Sequence, residues 1–342
     1  MSCASADPDH VVRWLDAGHC PVGEVGGKGA SLNRLRALGA PVPLAAAIPA
    51  QVYRDFATLN RVPLALTAAD ELDLASIRAR IIDAPLPEGF DAALTHTGHA
   101  FASHGKTAHA TVAVRSSALA EDSARHAFAG LHDTILNVAP GTGLETAVRQ
   151  CWASLWSDRA VAYRREHGLH NLPMDIAVVI QEMIHCDVSF VAFAIDPITG
   201  DDDCVLITAT WGLGEAVVAG MVVPDLIRVD RRGEIREFRI GAKHRMVIPV
   251  DGGVRCVPVP RALQALPAIA PETARTIAVT VRTLSAGLGF PVDVEGGLLG
   301  SDLRLFQARP ITTLPPPAFS RRNPTSHQEA YRHVESGSRP AS

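Results

Sequence analysis

The sequence has no block of lysine and arginine, no CxxC pair, no close His/Cys grouping and no internal repeat. Each absence removes a class of function. With 32 basic against 36 acidic residues the formal net charge is −4, so nucleic acid is not an expected partner. The cysteines, Cys3, Cys20, Cys151, Cys186, Cys204 and Cys256, follow neither zinc-ligand nor disulfide-framework spacing and read as reduced thiols. The N-terminus, "MSCASADPDHVVRW", carries early acids and no apolar run of signal-peptide length. Nothing later approaches the roughly 20 apolar residues of a membrane span. A cytoplasmic protein with no membrane partner is expected.

What is present is a chain of 342 residues, 47% hydrophobic and 20% charged, enough for a substantial core in one two-lobed domain or two domains. In "EVGGKGASLNRLRALGAPVP", residues 24–43, Leu32, Leu35 and Leu38 fall at helical spacing after Lys28, and Gly39, Pro41 and Pro43 supply the stop. Lys28 thus sits at a helix start, where backbone N–H groups favour anions. "GGKG" is not the GxxxxGK[ST] pattern, however, and on its own a glycine turn beside a solvated lysine accounts for it.

Residues 44–110 are alanine-rich and mostly helical in pattern, and read as packing. "TVAVRSSA" (111–118) and "FAGLHDTILNV" (128–138) read as strand, turn, strand, with Arg115 closing an apolar run where a buried cation needs an anionic partner. Residues 144–168 form the longest helical pattern, with Leu144, Val148, Trp152, Leu155, Trp156 and Tyr163 as its apolar stripe. From residue 175 strands follow, "DIAVVIQEM" first, and predict a mainly antiparallel sheet for a second lobe, with a further helix over 271–288. After Pro315 the polar, proline-rich composition predicts a disordered tail.

Alternation in "PVDVEGG" puts Asp293 and Glu295 on one face, and in "DLRLFQARP" puts Leu303, Leu305, Gln307 and Arg309 on one face. Paired as a hairpin across "GGLLGSD", the two segments bring a carboxylate, an amide oxygen and an arginine over one pocket. That set suits Mg²⁺ with polyphosphate, although a surface hairpin with scattered charges is the ordinary alternative.

The order of segments decides between them. "GGKGASL", "LGAPVP", "VAVRSSALAEDS", "FAGLHDTILNV", "VVIQEMI", "FAIDPITG", "ITATWGLGEAVVAGMVVPD", "IGAKHRMV", "DVE" and "LFQARP" resemble, in sequence order, the N-terminal nucleotide-binding domain of phosphoenolpyruvate synthase and pyruvate phosphate dikinase, shared by rifampin phosphotransferases. The resemblance covers roughly residues 11–315. It implies an α+β ATP-grasp fold, with an N-terminal lobe at 11–174, a C-terminal lobe at 175–315, ATP and Mg²⁺ between them, and the tail at 316–342.

Carried over by position, the resemblance implies that Lys28, Arg115 and Arg309 lie on the ATP phosphates and act in catalysis. Gly130 and Thr134 match the phosphate-covering loop. Gln181, Glu182 and Met183 match the hinge that meets adenine and ribose. Glu295 and Gln307 match the metal ligands, with Asp293 a neighbouring acid. The "GLGE" at 212–215 is a family hallmark whose roles stay open between a glycine turn capping a helix and direct ligand contact. Two departures stand out. Gly296 follows Glu295 where the family usually has tryptophan, which is expected to loosen the pocket floor or alter what sits beside the γ-phosphate. No swivelling domain with a phosphorylatable histidine is evident, and His99 in "THTGHAFASHG" reads as a solvated helix histidine.

Three functions remain open on these grounds. The chain is an ATP- and Mg²⁺-dependent phosphotransferase acting directly on a small molecule, or the ATP-binding component of a split enzyme that phosphorylates a histidine on a separate protein, or a nucleotide-binding regulatory module without turnover. Retention of both metal ligands and all three cations favours catalysis.

Overall fold

The computed structural model describes residues 11–16, 18–66, 73–104, 111–119, 133–169 and 172–312. The elements run β1 (Arg13–Trp14), α1 (Val22–Ala37), β2 (Ala45–Ile48), α2 (Ala50–Leu59), α3 (Leu74–Asp83), α4 (Phe90–His104), β3 (Val112–Ala118), β4 (Thr134–Val138), α5 (Thr142–Ser154), α6 (Asp158–Glu166) and β5 (Ile176–Glu182). They continue with β6 (Val188–Phe193), β7 (Cys204–Trp211), α7 (Glu215–Val218), β8 (Asp225–Asp230), β9 (Ile235–Arg239), β10 (Arg245–Val250), β11 (Gly253–Pro258), α8 (Arg261–Gln264), α9 (Pro271–Leu288), β12 (Val292–Leu299) and β13 (Asp302–Pro310). One sheet has the order β1-β2-β5-β3-β4, another β13-β12-β6-β7-β8-β9, and β10 with β11 forms a hairpin. All pairings of these strands are antiparallel, so the protein is α+β.

Side-chain size sorts the faces of the first sheet. Ala46, Ile48, Val112, Val114, Ile176, Val178 and Ile180 point into a core shared with Phe56, Trp152 and Trp156. The other face carries small residues at Ala45, Ala47, Ala113 and Ala177, and this lets α1 approach closely. Two long polar side chains, Arg115 and Gln181, stand on that small-residue face, because residues paired across strands and two apart along a strand share a side. In the second sheet Val292 and Val294 pack with Ile277 and Val281 of α9.

Helix α1 bridges the two sheets. Leu32 packs with Ala45, Ala47 and Val179 of the first, while Leu35 packs with Ile207 and Val294 of the second. Its glycines are structural. Gly26 takes φ 70° and ψ 175°, which only glycine adopts readily, and breaks the helix so that Gly27 and Lys28 begin the longer run. A side chain at Gly26 would overlap the Ser117 carbonyl. Ser117 Oγ donates to the Val25 carbonyl at 2.9 Å and accepts from the Gly29 amide at 3.3 Å. The glycine-lysine segment is thereby docked on the Arg-Ser-Ser strand.

Three expectations need correction. The strand beginning at residue 175 does not open the second sheet: β5 lies between β2 and β3 in the first, and the second begins at Val188. Periodicity alone could not separate these, since both sheets are made of similar β-branched runs. The single helix expected over 144–168 is two, because Ser157 caps α6 by accepting from the Ala160 amide. Leu144, Val148, Trp152, Leu155 and Trp156 are nonetheless fully buried. In β13 the register shifts opposite Glu295/Gly296, leaving Phe306 as the extra residue. Leu303 and Leu305 therefore turn toward the α9 core, and Gln307 and Arg309 face the other way. The expected tail at 316–342 lies outside the described residues.

Gly26→Ala is expected to lower stability by roughly 2–4 kcal/mol, from clash plus left-handed strain. Gly39→Ala, also at positive φ but with open space around it, should lose only about 1 kcal/mol. Urea denaturation of the two variants checks this, and equal losses would contradict the docking.

Candidate active site

Arg115 reaches from β3 across to the second sheet, with 11% of its side chain exposed. Nη1 donates to Gln181 Oε1 at 3.2 Å and to the Phe306 carbonyl at 3.0 Å. Nη2 donates to Gln307 Oε1 at 2.7 Å and to Glu295 Oε2 at 3.3 Å. Glu295 and Gln307 are direct partners in the β12–β13 ladder, so one carboxylate and one amide oxygen face the same nitrogen. The bulge that leaves Phe306 unpaired is also the place where its carbonyl turns to Arg115.

Next along the hairpin, Asp293 and Arg309 are paired in register and ion-paired, with Nε and Nη2 both 2.7 Å from Oδ2. Asp293 is buried, and its Oδ1 has no hydrogen-bond partner. Burial pushes its carboxyl above the usual range, against the pull of the Arg309 charge. Of the residues carried over from the resemblance, Arg115, Gln181, Glu295 and Gln307 thus meet from β3, β5, β12 and β13, with the Asp293–Arg309 pair next along the hairpin. Thr134 is the ladder partner of Arg115. Lys28 stands in the first turn after the Gly26 break, on the helix docked against Ser117. Gly130 lies outside the described residues.

The hinge segment is arranged differently from a simple base-reading edge. The Glu182 and Met183 amides are already spent on the Leu44 and Thr111 carbonyls, at 2.8 and 2.9 Å. Glu182 Oε2 accepts from the Leu44 amide at 3.3 Å. Met183 contributes its side chain to an apolar cluster with Leu136, Leu213, Val247 and Val254. Gln181 is 2% exposed and faces Arg115.

Gly296 does not border these groups. It pairs with Phe190 on the α9 side, where an added side chain would overlap the Phe190 ring. The expected change in the pocket floor is therefore a change in core packing. Gly212 takes φ 74° with the Val247 carbonyl pressed where a Cβ would be, and Gly214 precedes α7, so 212–215 is the glycine turn leading into a short helix. Burial holds the Glu215 carboxyl above its ordinary range. His99 is exposed on α4.

Several supporting residues escaped the sequence reading. Ser31 Oγ donates to the Ala308 carbonyl, fastening α1 to β13. Lys243 and Asp225 form a fully buried ion pair, with Asp225 also accepting from the Gly241 amide at 2.8 Å and the Ala268 amide at 2.6 Å. Asn137, at φ 59°, donates to the Val250 and Gly253 carbonyls at 2.7 and 2.9 Å and so holds the β10–β11 hairpin. The "PD" and "GAK" segments containing Asp225 and Lys243 were on view, but only proximity in space reveals that they pair.

Fold and site define an α+β protein in which two antiparallel sheets meet over a cluster of arginines, carboxylates and amide oxygens. The family model for the pyruvate phosphate dikinase AMP/ATP-binding domain matches residues 22–331, and the chain belongs to that family of ATP-binding domains. The match runs past Pro315 into the segment expected to be a tail. The chain is 35% identical over 317 residues to a probable phosphoenolpyruvate synthase of Methanothermobacter thermautotrophicus, covering 89% of this chain and 46% of that protein. It is 39% identical over 291 residues to the prodigiosin synthesizing transferase PigC of Serratia marcescens, covering 84% and 32%. It is 37% identical over 321 residues to a rifampicin phosphotransferase of Streptomyces sviceus, covering 90% and 36%. The chain thus spans less than half the length of these curated relatives. Among the described residues no helix is long and apolar enough to cross a membrane.

Because the folded-state pKa of Asp293 is raised, the folded protein holds its proton to higher pH than the unfolded chain. The resulting stability is present below the unfolded pKa and lost as pH rises through the folded one. Arg309→Met removes the charge that favours the ionised form, so the Asp293 midpoint should move further up and the loss of stability should extend to higher pH. Carboxyl NMR titration with pH-dependent denaturation checks this; an unmoved midpoint would refute the coupling.

Proposed function

We propose that this chain is an ATP-grasp phosphotransferase unit that holds ATP and Mg²⁺ between two lobes and phosphorylates a small-molecule acceptor directly. The observation that carries the proposal is Arg115, which reaches from one sheet to Glu295, Gln307 and the Phe306 carbonyl on the other. The lobe boundary belongs in the 183–187 linker rather than at 174/175, since β5 is a central strand of the first sheet.

Glu295 and Gln307 would hold Mg²⁺. The donor set fits: both oxygens are hard, they converge on one cationic nitrogen, and a third oxygen, Oδ1 of the neighbouring acid Asp293, lies buried without a hydrogen-bond partner. Two protein oxygens suffice for Mg²⁺, which usually takes one or two carboxylates and leaves its other positions to phosphate and water. Mg²⁺ bound there would neutralise charge on the phosphates. Lys28, Arg115 and Arg309 are the phosphate cations in this reading, with Gly130 and Thr134 on the covering segment. Glu182 and Met183 border the base end, and Gln181 stands between them and the phosphates. Positioning and charge neutralisation are most of what phosphoryl transfer requires, and these residues supply both.

A second reading has one observation in its favour. The chain matches 32–46% of relatives that are much longer, which suits passage of phosphate to a histidine carried by another domain or polypeptide.

Purified protein incubated with ATP, Mg²⁺ and a panel of small-molecule acceptors bearing hydroxyl or carboxyl groups, and followed by ³¹P NMR, tests the proposal. ADP with a phosphorylated small molecule supports direct transfer; AMP and phosphate appearing only with an added histidine-domain protein support the second reading. Glu295→Gln is expected to cut turnover by at least about 100-fold while ATP affinity falls by no more than about tenfold. Unchanged turnover in that variant would remove the metal assignment.

A further inference from the structure

Gln181 occupies a place that neither its strand nor its core explains. It is 2% exposed, on the α1-facing side of the first sheet, with alanines as both ladder partners, Ala45 on β2 and Ala113 on β3. Alanines leave room over the strand. The nearest long side chain on that face is Arg115, two residues along β3 from Ala113 and so the diagonal neighbour of Gln181, within reach of extended side chains. Gln181 Oε1 accepts from Arg115 Nη1 at 3.2 Å, and Gln181 Nε2 lies 3.4 Å from the Phe306 carbonyl, which also takes Nη1 at 3.0 Å. The three groups close a ring around one edge of the guanidinium.

From this geometry we infer that the Gln181 side chain is a positioning residue for Arg115, and does not itself read the base. The inference rests on Arg115 as a phosphate-binding cation. The chemistry favours an amide at this point. A carboxylate would compete with phosphate for the arginine and repel the Phe306 carbonyl, and an aliphatic chain would leave Nη1 with one acceptor fewer in a site almost closed to water. With Nη1 held by Gln181 and Phe306, only Nη2 is directed at Glu295 Oε2 and Gln307 Oε1, the oxygens assigned to the metal. Gln181 therefore sets which edge of the guanidinium lies against the oxygens assigned to the metal, where metal-bound phosphate would meet it. Both atoms of its amide are turned toward that ring, one bond on Oε1 and one on Nε2, so the side chain is oriented by Arg115 and Phe306.

The test separates phosphate from base. ATP and adenosine affinities are measured by calorimetry in the presence of Mg²⁺ for wild type, Gln181→Met, Arg115→Met and the double variant. A positioning role predicts that Gln181→Met weakens ATP about tenfold and adenosine less than about twofold, and that in the Arg115→Met background it weakens ATP by less than about twofold. Equal losses for adenosine and ATP, or an undiminished loss in the double variant, would overturn it. If Arg115→Met binds ATP like wild type, the phosphate reading of Arg115 fails as well, a result told apart because the arginine variant is itself silent. Should Gln181→Met fold poorly, ¹⁵N NMR of the arginine side chains supplies an independent readout. Hindered rotation of the Arg115 guanidinium in wild type supports the ring, and free rotation overturns it.

Discussion

A guanidinium cannot shed its charge, so wherever the fold removes water from Arg115 it must supply acceptors in water's place. Here those acceptors come from three strands in two sheets: Gln181 on β5, Glu295 on β12, and Phe306 and Gln307 on β13. The contact is therefore a constraint on how the sheets face each other. Helix α1 imposes the same constraint by other means, since Ser31 is tied to β13 while the Gly26 break is fitted over Ser117 on β3, and Leu32 and Leu35 enter different cores. Polar and apolar ties agree on one arrangement, and the cluster of cations and oxygens lies where they meet.

A one-residue irregularity decides what that cluster contains. Without the register shift at Phe306, Gln307 would sit on the same side as Leu305, in the apolar layer under α9, and Arg115 would lose both its shortest bond and a carbonyl. Gly296 belongs to the same irregular stretch, and the space beside it is taken by the Phe190 ring. Departure from the family's usual tryptophan is thus absorbed in packing, one layer away from the charged groups. The buried Lys243–Asp225 pair acts at a greater distance. A buried ion pair contributes little net stability, but it penalises any arrangement that separates its members, and this one holds the 241–244 segment and the Ala268 loop at the root of β8.

Much of the site was legible because its residues lie in short motifs whose local structure is nearly independent of the rest. Lys28 after two glycines, Arg115 after a short apolar run, and the acid and amide of a β-hairpin can each be read from a dozen residues, although β3 runs on past Arg115 to Ala118. The hairpin and the 271–288 helix follow from alternation and from 3.6-residue periodicity. What could not be read depends on pairing between distant segments. The position of β5 in the first sheet is set by its partners β2 and β3, the break between α5 and α6 by a competing serine cap, and the face carrying Gln307 by a bulge that alternation does not register.

Gln181 shows the division most clearly. Its segment, "VVIQEM", announces a strand edge near a nucleotide in family order, and nothing in that segment points to Arg115, 66 residues earlier. Local residue patterns carry the kinds of groups present, most of the elements that bear them, and their membership of an ATP-binding family. The tertiary structure alone decided which of them touch, that Gln181 faces an arginine, that Gly296 faces a core ring, and that Arg115 spans two sheets. The reason is physical: periodicity records which side of a strand a residue occupies, whereas contact is set by long-range pairing and register, and a shift of one residue exchanges one face for the other.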